Sequence, residues 1–176
     1  MAGQNRYLRG ETNEAKAPVH GNVAVNPGDF IILGGVTKTF CNSYVSSADL
    51  YAYPLSSVTH LSTKSVVGAI RLWFLGVAMN GSPLGVTNFI SVAQTGFFRY
   101  PLYNPTASVY GTTVGLKISC VTPTGVNSGV STQHVRMQLH GSTSAYLGYC
   151  AQDQAGGASS VIFAVRGKYA PGGVAT

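Results

Sequence analysis

Residues 74–100, FLGVAMNGSPLGVTNFISVAQTGFFRY, restrict the chain more than any other stretch. Three apolar runs of strand length, Phe74 to Met79, Phe89 to Val92 and Phe97 to Tyr100, are separated by turn formers. These are Asn80-Gly81-Ser82-Pro83 and Gln94-Thr95-Gly96, and Pro101 stops the last run. The spacing predicts an antiparallel meander. A unit this apolar is not stable alone in water, so it belongs at the centre of a sheet that the rest of the chain covers.

The same pattern returns later. Tyr146-Leu147-Gly148-Tyr149-Cys150-Ala151 echoes Phe74-Leu75-Gly76-Val77-Ala78-Met79, and after a turn-rich gap Val161 to Val165 takes the part of Phe89 to Val92. Two copies are too few for a solenoid. They suggest two similar hairpins facing each other across one core. Earlier, Asn26-Pro27-Gly28-Asp29 reads as a turn between a loosely alternating Val19 to Val25 and the buried-type run Phe30 to Leu33, a first hairpin. Val66 to Trp73 reads as leading into the central stretch as a continuous or bulged strand. Residues 36–65, with Tyr44, Tyr51 and Tyr53, read as an irregular, contact-rich excursion. Val114 to Ile118 supplies another strand. Gln133 to His140 alternates with period two, which puts His134, Arg136, Gln138 and His140 on a wet face.

These patterns predict an all-β, single-domain antiparallel β-barrel or sandwich of about nine to eleven short strands. The β domain spans residues 18–168. Residues 1–17, polar and without period, are expected to form an extended arm, flexible or laid on a partner, and 169–176 a loose tail. A chain of 176 residues buries about 70% of the surface its unfolded form exposes.

Composition bears on function. Only 9% of residues are charged, against about 25% in an ordinary soluble domain. Scarce charge with many Ser, Thr, Asn, Gln, Gly and Tyr suits a surface packed against other subunits. The 11 basic and 5 acidic residues give a net +6, yet no run of Lys or Arg marks a nucleic-acid patch. Cys41, Cys120 and Cys150 lack Cys-x-x-Cys spacing and are expected as small buried thiols in a reducing cytosol. No stretch resembles a signal peptide or a membrane span.

Catalytic constellations are not expected. Glu11 and Glu14 lie in the arm, leaving Asp29 in a turn, Asp49 and Asp153, and nothing brings two acids together. His20, His60, His134 and His140 lack a metal-ligand spacing. The cysteines sit in or beside apolar strands, the habitat of inert thiols. The glycines match no phosphate-binding loop. No cofactor or metal is expected. Trp73 and Phe97-Phe98-Arg99-Tyr100 allow two readings. One is a platform for single-stranded bases beside Arg71 and Arg99, as in an OB-type barrel. The other, preferred because strand aromatics more often serve core and interface, is anchorage to protein.

The order of these elements resembles the small phage capsid decoration or cement proteins of tailed-phage heads. The carrying residues are Asn26-Pro27-Gly28-Asp29-Phe30-Ile31, the Phe74 to Ala78 strand, and Ile90-Ser91-Val92 through Gly96, Phe98 and Pro101. Leu147-Gly148-Tyr149 and Val161 to Val165 complete them. The likeness covers about residues 19–167 and departs from the family at 37–64, in the uncharged surface and in the loop 101–111. It implies a non-enzymatic virion protein, made in the host cytoplasm. Such a protein binds the outer surface of an icosahedral head, often as a homotrimer, and locks neighbouring major capsid subunits. No membrane or direct nucleic-acid partner is implied. Candidate capsid or subunit contacts are Arg6, Tyr7, Arg9, Tyr44, Tyr51, Tyr53, Trp73, Arg99, Tyr100 and Tyr103. The alternatives are a single-stranded nucleic-acid-binding barrel and a self-assembling coat or tail subunit.

Overall fold

The computed structural model describes residues 7–10, 12–34, 50–57, 73–102, 114–121, 131–137, 146–153 and 159–167. Eleven strands lie among them: β1 (Tyr7–Arg9), β2 (Glu14–Pro18), β3 (Phe30–Gly34), β4 (Tyr51–Pro54), β5 (Phe74–Ala78), β6 (Phe89–Ala93), β7 (Thr95–Pro101), β8 (Lys117–Val121), β9 (Ser131–Met137), β10 (Gly148–Cys150) and β11 (Ser160–Arg166). They form two antiparallel sheets, so the all-β expectation holds. The first sheet runs β2-β6-β5-β3-β4 and the second β1-β7-β11-β10-β8-β9.

Set β1 aside, and the two orders are the same, each strand of the first sheet answered by the strand five places later in the chain. The registers agree as well. Phe30 faces Val77 and Ile31 faces Gly76; at the corresponding places Lys117 faces Tyr149 and Ile118 faces Gly148. Lys16 lies opposite Ser91 as Arg99 lies opposite Ile162. Parallel bridges from Val19 to Ala52 and from Leu102 to Val135 draw the outer strands of each sheet together. The Val19 amide donates to Asn88 O (2.8 Å), and the Leu102 amide to Ser159 O (2.9 Å). Gly28 and Gly115, at φ 86° and 87°, donate to Ala78 O and Cys150 O. The hairpin echo in the sequence is therefore one part of a five-stranded plan used twice, with β5–β6 and β10–β11 in opposite sheets.

Alternation along the strands builds the core. In β7, Phe98 and Tyr100 point inward while Arg99 is exposed; in β11, Val161, Phe163 and Val165 are buried. Phe30 of the first sheet stacks on Tyr100 of the second (centroids 4.7 Å) and approaches Phe74 and Phe163 at 6.4 Å. The buried Tyr100 hydroxyl donates to the Gly28 carbonyl. Asp29 is buried as a turn former, accepting the Asn26 amide at 2.8 Å. Gln94 joins the sheets: its amide donates to Asn13 O, its carbonyl accepts from the Gly167 amide, both at 2.7 Å.

Several expectations need correction. Residues 1–17 do not form an arm throughout. Glu14–Pro18 pairs in full with β6, burying Ala17, and Tyr7–Arg9 pairs with β7. The small side chains Ala15 and Ala17, alternating with Glu14 and Lys16, supply the period of two that the polar composition conceals. The meander holds only for β5 and β6. After Gln94 the chain crosses to the other sheet, and β7 pairs with β1 and β11. Val19 to Val25 forms no hairpin with β3, whose neighbours are β4 and β5. Strand β5 begins at Phe74, leaving Trp73 outside it. Residues 66–72 and 169–176 lie outside the described residues.

Candidate interaction surface

The contact residues expected from sequence fall into three groups. Arg6, Tyr44 and Tyr103 lie outside the described residues, and Tyr7 and Arg9 are placed by backbone alone in β1. Arg99 is exposed, and Tyr51 and Trp73 are half-buried against the core. Tyr53 and Tyr100 are completely buried, so neither is a surface contact. Tyr100 is held by Phe30 and Gly28, and Tyr53 stacks on His20 at 6.4 Å. Phe98 is equally inaccessible. The proposed base-stacking platform thus loses two of its rings to the core.

Large exposed apolar side chains gather elsewhere. Leu84 and Phe89, each 66% exposed, and Val86 lie between the end of β5 and the start of β6. This segment is stiff. Ser82 and Val25 exchange backbone hydrogen bonds at 2.9 Å, and the Gly85 amide donates to Gly21 O at 2.7 Å. The Asn80 side chain accepts from the Ser91 amide at 2.6 Å. At the root of the loop Asn88 Oδ1 is buried without a hydrogen-bond partner. Isolated apolar residues on a surface are ordinary, but three exposed within six residues, two in the braced loop and one opening β6, suit partner contact. The sequence signal was available in Pro83-Leu84-Gly85-Val86, an apolar turn where polar residues are usual.

A second surface lies on the outward side of the six-stranded sheet. Lys117 Nζ sits 5.1 Å from the Tyr146 ring centre, and that ring packs on Tyr149 at 5.1 Å. A hydrogen bond to Tyr146 and partial burial hold the Tyr149 phenol above its ordinary pKa, while Arg166 pulls in the opposite direction.

Other reactive groups are accounted for. Cys120 and Cys150 are buried thiols outside any disulfide, the latter 3.2 Å from Gln152 O, and Cys41 lies outside the described residues. Among the described residues no three His, Cys, Asp or Glu side chains gather as metal ligands. No helix among them is long and apolar enough to cross a membrane.

Burial, and secondarily the neighbouring Tyr51, raises the Tyr53 pKa above 10.0. The fold therefore prefers neutral Tyr53. Below about pH 10 both folded and unfolded states keep the proton; above it the unfolded chain releases its proton first, and stability falls as pH rises. Tyr53→Phe is expected to flatten the decline in urea midpoint between about pH 9 and pH 11. A slope equal to that of the parent would show that Tyr53 does not carry it.

Against known protein families, curated sequences and solved structures, the chain has no match.

Proposed function

We propose that this chain is a structural virion protein, a capsid decoration or cement protein without catalytic activity. It binds the outer surface of an icosahedral phage head as a homo-oligomer, a trimer in the simplest arrangement, and bridges major capsid subunits. The observation that carries the reading is the exposed apolar set of Leu84 and Val86 in the braced loop and Phe89 at the start of β6, in a chain of which only 9% is charged. The resemblance in element order supplies the setting.

Mechanistically, each copy would seat its loop in an apolar recess of the shell. Burial stabilises by about 25 cal/mol per Å² of apolar surface removed from water. A loop already fixed by backbone hydrogen bonds loses little conformational entropy on docking. One such contact is modest, but repetition over a closed lattice makes the shell resist internal pressure collectively.

The test is localisation and loss. Electron microscopy of purified particles should place the chain on the outer lattice, and heads lacking it should break at lower temperature or salt. Leu84→Ser combined with Phe89→Ser should weaken head binding by about a hundredfold, about tenfold per anchor, with thermal unfolding unchanged. Equal occupancy by variant and parent, or equally resistant heads, would remove the proposal. Purified chain closing into shells or tubes unaided would point to a coat subunit instead.

A further inference from the structure

Because the two sheets repeat one plan, corresponding positions can be compared for what covers them. In the first sheet Phe30, Val77 and Ala93 stand side by side across β3, β5 and β6, and all three are buried. Phe30 is covered by Tyr100 and Phe163 of the second sheet. The corresponding residues of the second sheet, Lys117, Tyr149 and Ala164, stand side by side across β8, β10 and β11. They are only partly buried. Where one half of the molecule has its internal interface, the other half presents an open face.

The chemistry of that face is one-sided. Arg99 and Arg166 are exposed on it and Lys117 is half-exposed. Strands β7, β8, β10 and β11 contain no Asp or Glu. The acid that follows β10, Asp153, accepts the Val114 amide at 2.6 Å. We propose that this face of the second sheet is a docking site for an acidic segment of a partner protein.

Charge complementarity favours that occupant. Guanidinium and ammonium groups held on paired strands match carboxylates in geometry and sign. Single-stranded nucleic acid fits less well, because stacking needs open ring faces. Tyr146 and Tyr149 pack on each other, and Lys117 covers the Tyr146 ring. The inference does not depend on the partner's being a phage shell.

The probes are a labelled oligoglutamate peptide of about ten residues and an oligothymidylate of about the same charge. Each is titrated with the full chain at about 50 mM and about 300 mM salt, where screening differs strongly. The peptide should bind more tightly than the oligonucleotide and weaken with salt. The variant Arg99→Gln/Lys117→Gln/Arg166→Gln should lose about tenfold or more in peptide affinity, while Lys16→Gln, at the place in the other sheet that corresponds to Arg99, loses less than about 1.5-fold. Thermal unfolding should be the same for both. Three results would each overturn the inference: no peptide binding, equal losses in the two variants, or tighter binding of the oligonucleotide. Heads that take up the Arg99/Lys117/Arg166 variant as well as the parent would also count against it, while leaving the decoration role intact.

Discussion

Gly76→Ala and Gly148→Ala should each destabilise the protein by about 3 kcal/mol, the upper range for forcing extra volume into a packed interior. A Cβ added at Gly76 would land on the carbonyl oxygen of Ala93, and one added at Gly148 on that of Ala164. These are corresponding positions in the two sheets, and each clash is with the backbone of a paired strand. A flexible side chain in the way would rotate aside. A carbonyl in a strand ladder moves only if the strand moves, which breaks pairing on both sides of it. Gly76 adds a φ of 153° that side-chain-bearing residues rarely adopt. Gly85→Ala is the control, since Gly85 also has a positive φ (88°) but nothing near its missing Cβ. It should cost about 1 kcal/mol, the backbone term alone. Urea unfolding with unchanged m-values measures all three. Against a total stability of about 5–15 kcal/mol, the first two losses are large. Equal midpoints for Gly76→Ala and Gly85→Ala would show that close strand approach is not what these glycines provide.

These two glycines also mark where the fold was legible. Leu75-Gly76 and Leu147-Gly148 are where the repeated plan shows in the sequence, because only a glycine fits at that crossing in either sheet. Some other corresponding positions also match in kind, as Lys16 and Arg99 or Ile31 and Ile118 do, but several differ: Glu14 and Phe97, Ala17 and Tyr100, Phe30 and Lys117. Pairing register is fixed by backbone hydrogen bonds, which any of these residues can make, so the plan persists where side-chain similarity does not. Hydrophobic runs and turn formers were therefore enough to place β3, β5, β6 and β11, while sheet membership was not readable. Nothing in Ala93-Gln94-Thr95-Gly96 distinguishes a tight hairpin from a strand that changes sheets. The difference arises from distant partners, Asn13 and Gly167, on Gln94. Tyrosine was the other source of error. Its hydroxyl makes it look like a surface anchor, yet Tyr100 finds its acceptor at Gly28, distant in sequence. The period of two in Phe97-Phe98-Arg99-Tyr100 was the better guide, since an exposed Arg99 turns both Phe98 and Tyr100 inward.

Phe30→Ala should cost about 3–5 kcal/mol, and Lys117→Ala, at the corresponding position of the other sheet, less than about 0.5 kcal/mol. Phe30 is fully buried and in ring contact with Phe74, Tyr100 and Phe163. Its truncation removes a large apolar surface and leaves a hole walled by three rings that cannot all collapse into it. Tyr100 would also lose its stacking partner while still tied to Gly28, so relaxation of that wall is restrained. Lys117 has a half-exposed side chain lying over the Tyr146 ring, and its loss forfeits one weak cation–π contact. Paired urea titrations give both numbers from one experiment. Similar costs would mean that the second sheet's outward face supports the fold as the first sheet's does, and an interface reading of it would lose its basis. A wide gap would mean that one backbone position, used twice, joins the two sheets in one half and is free to serve a partner in the other.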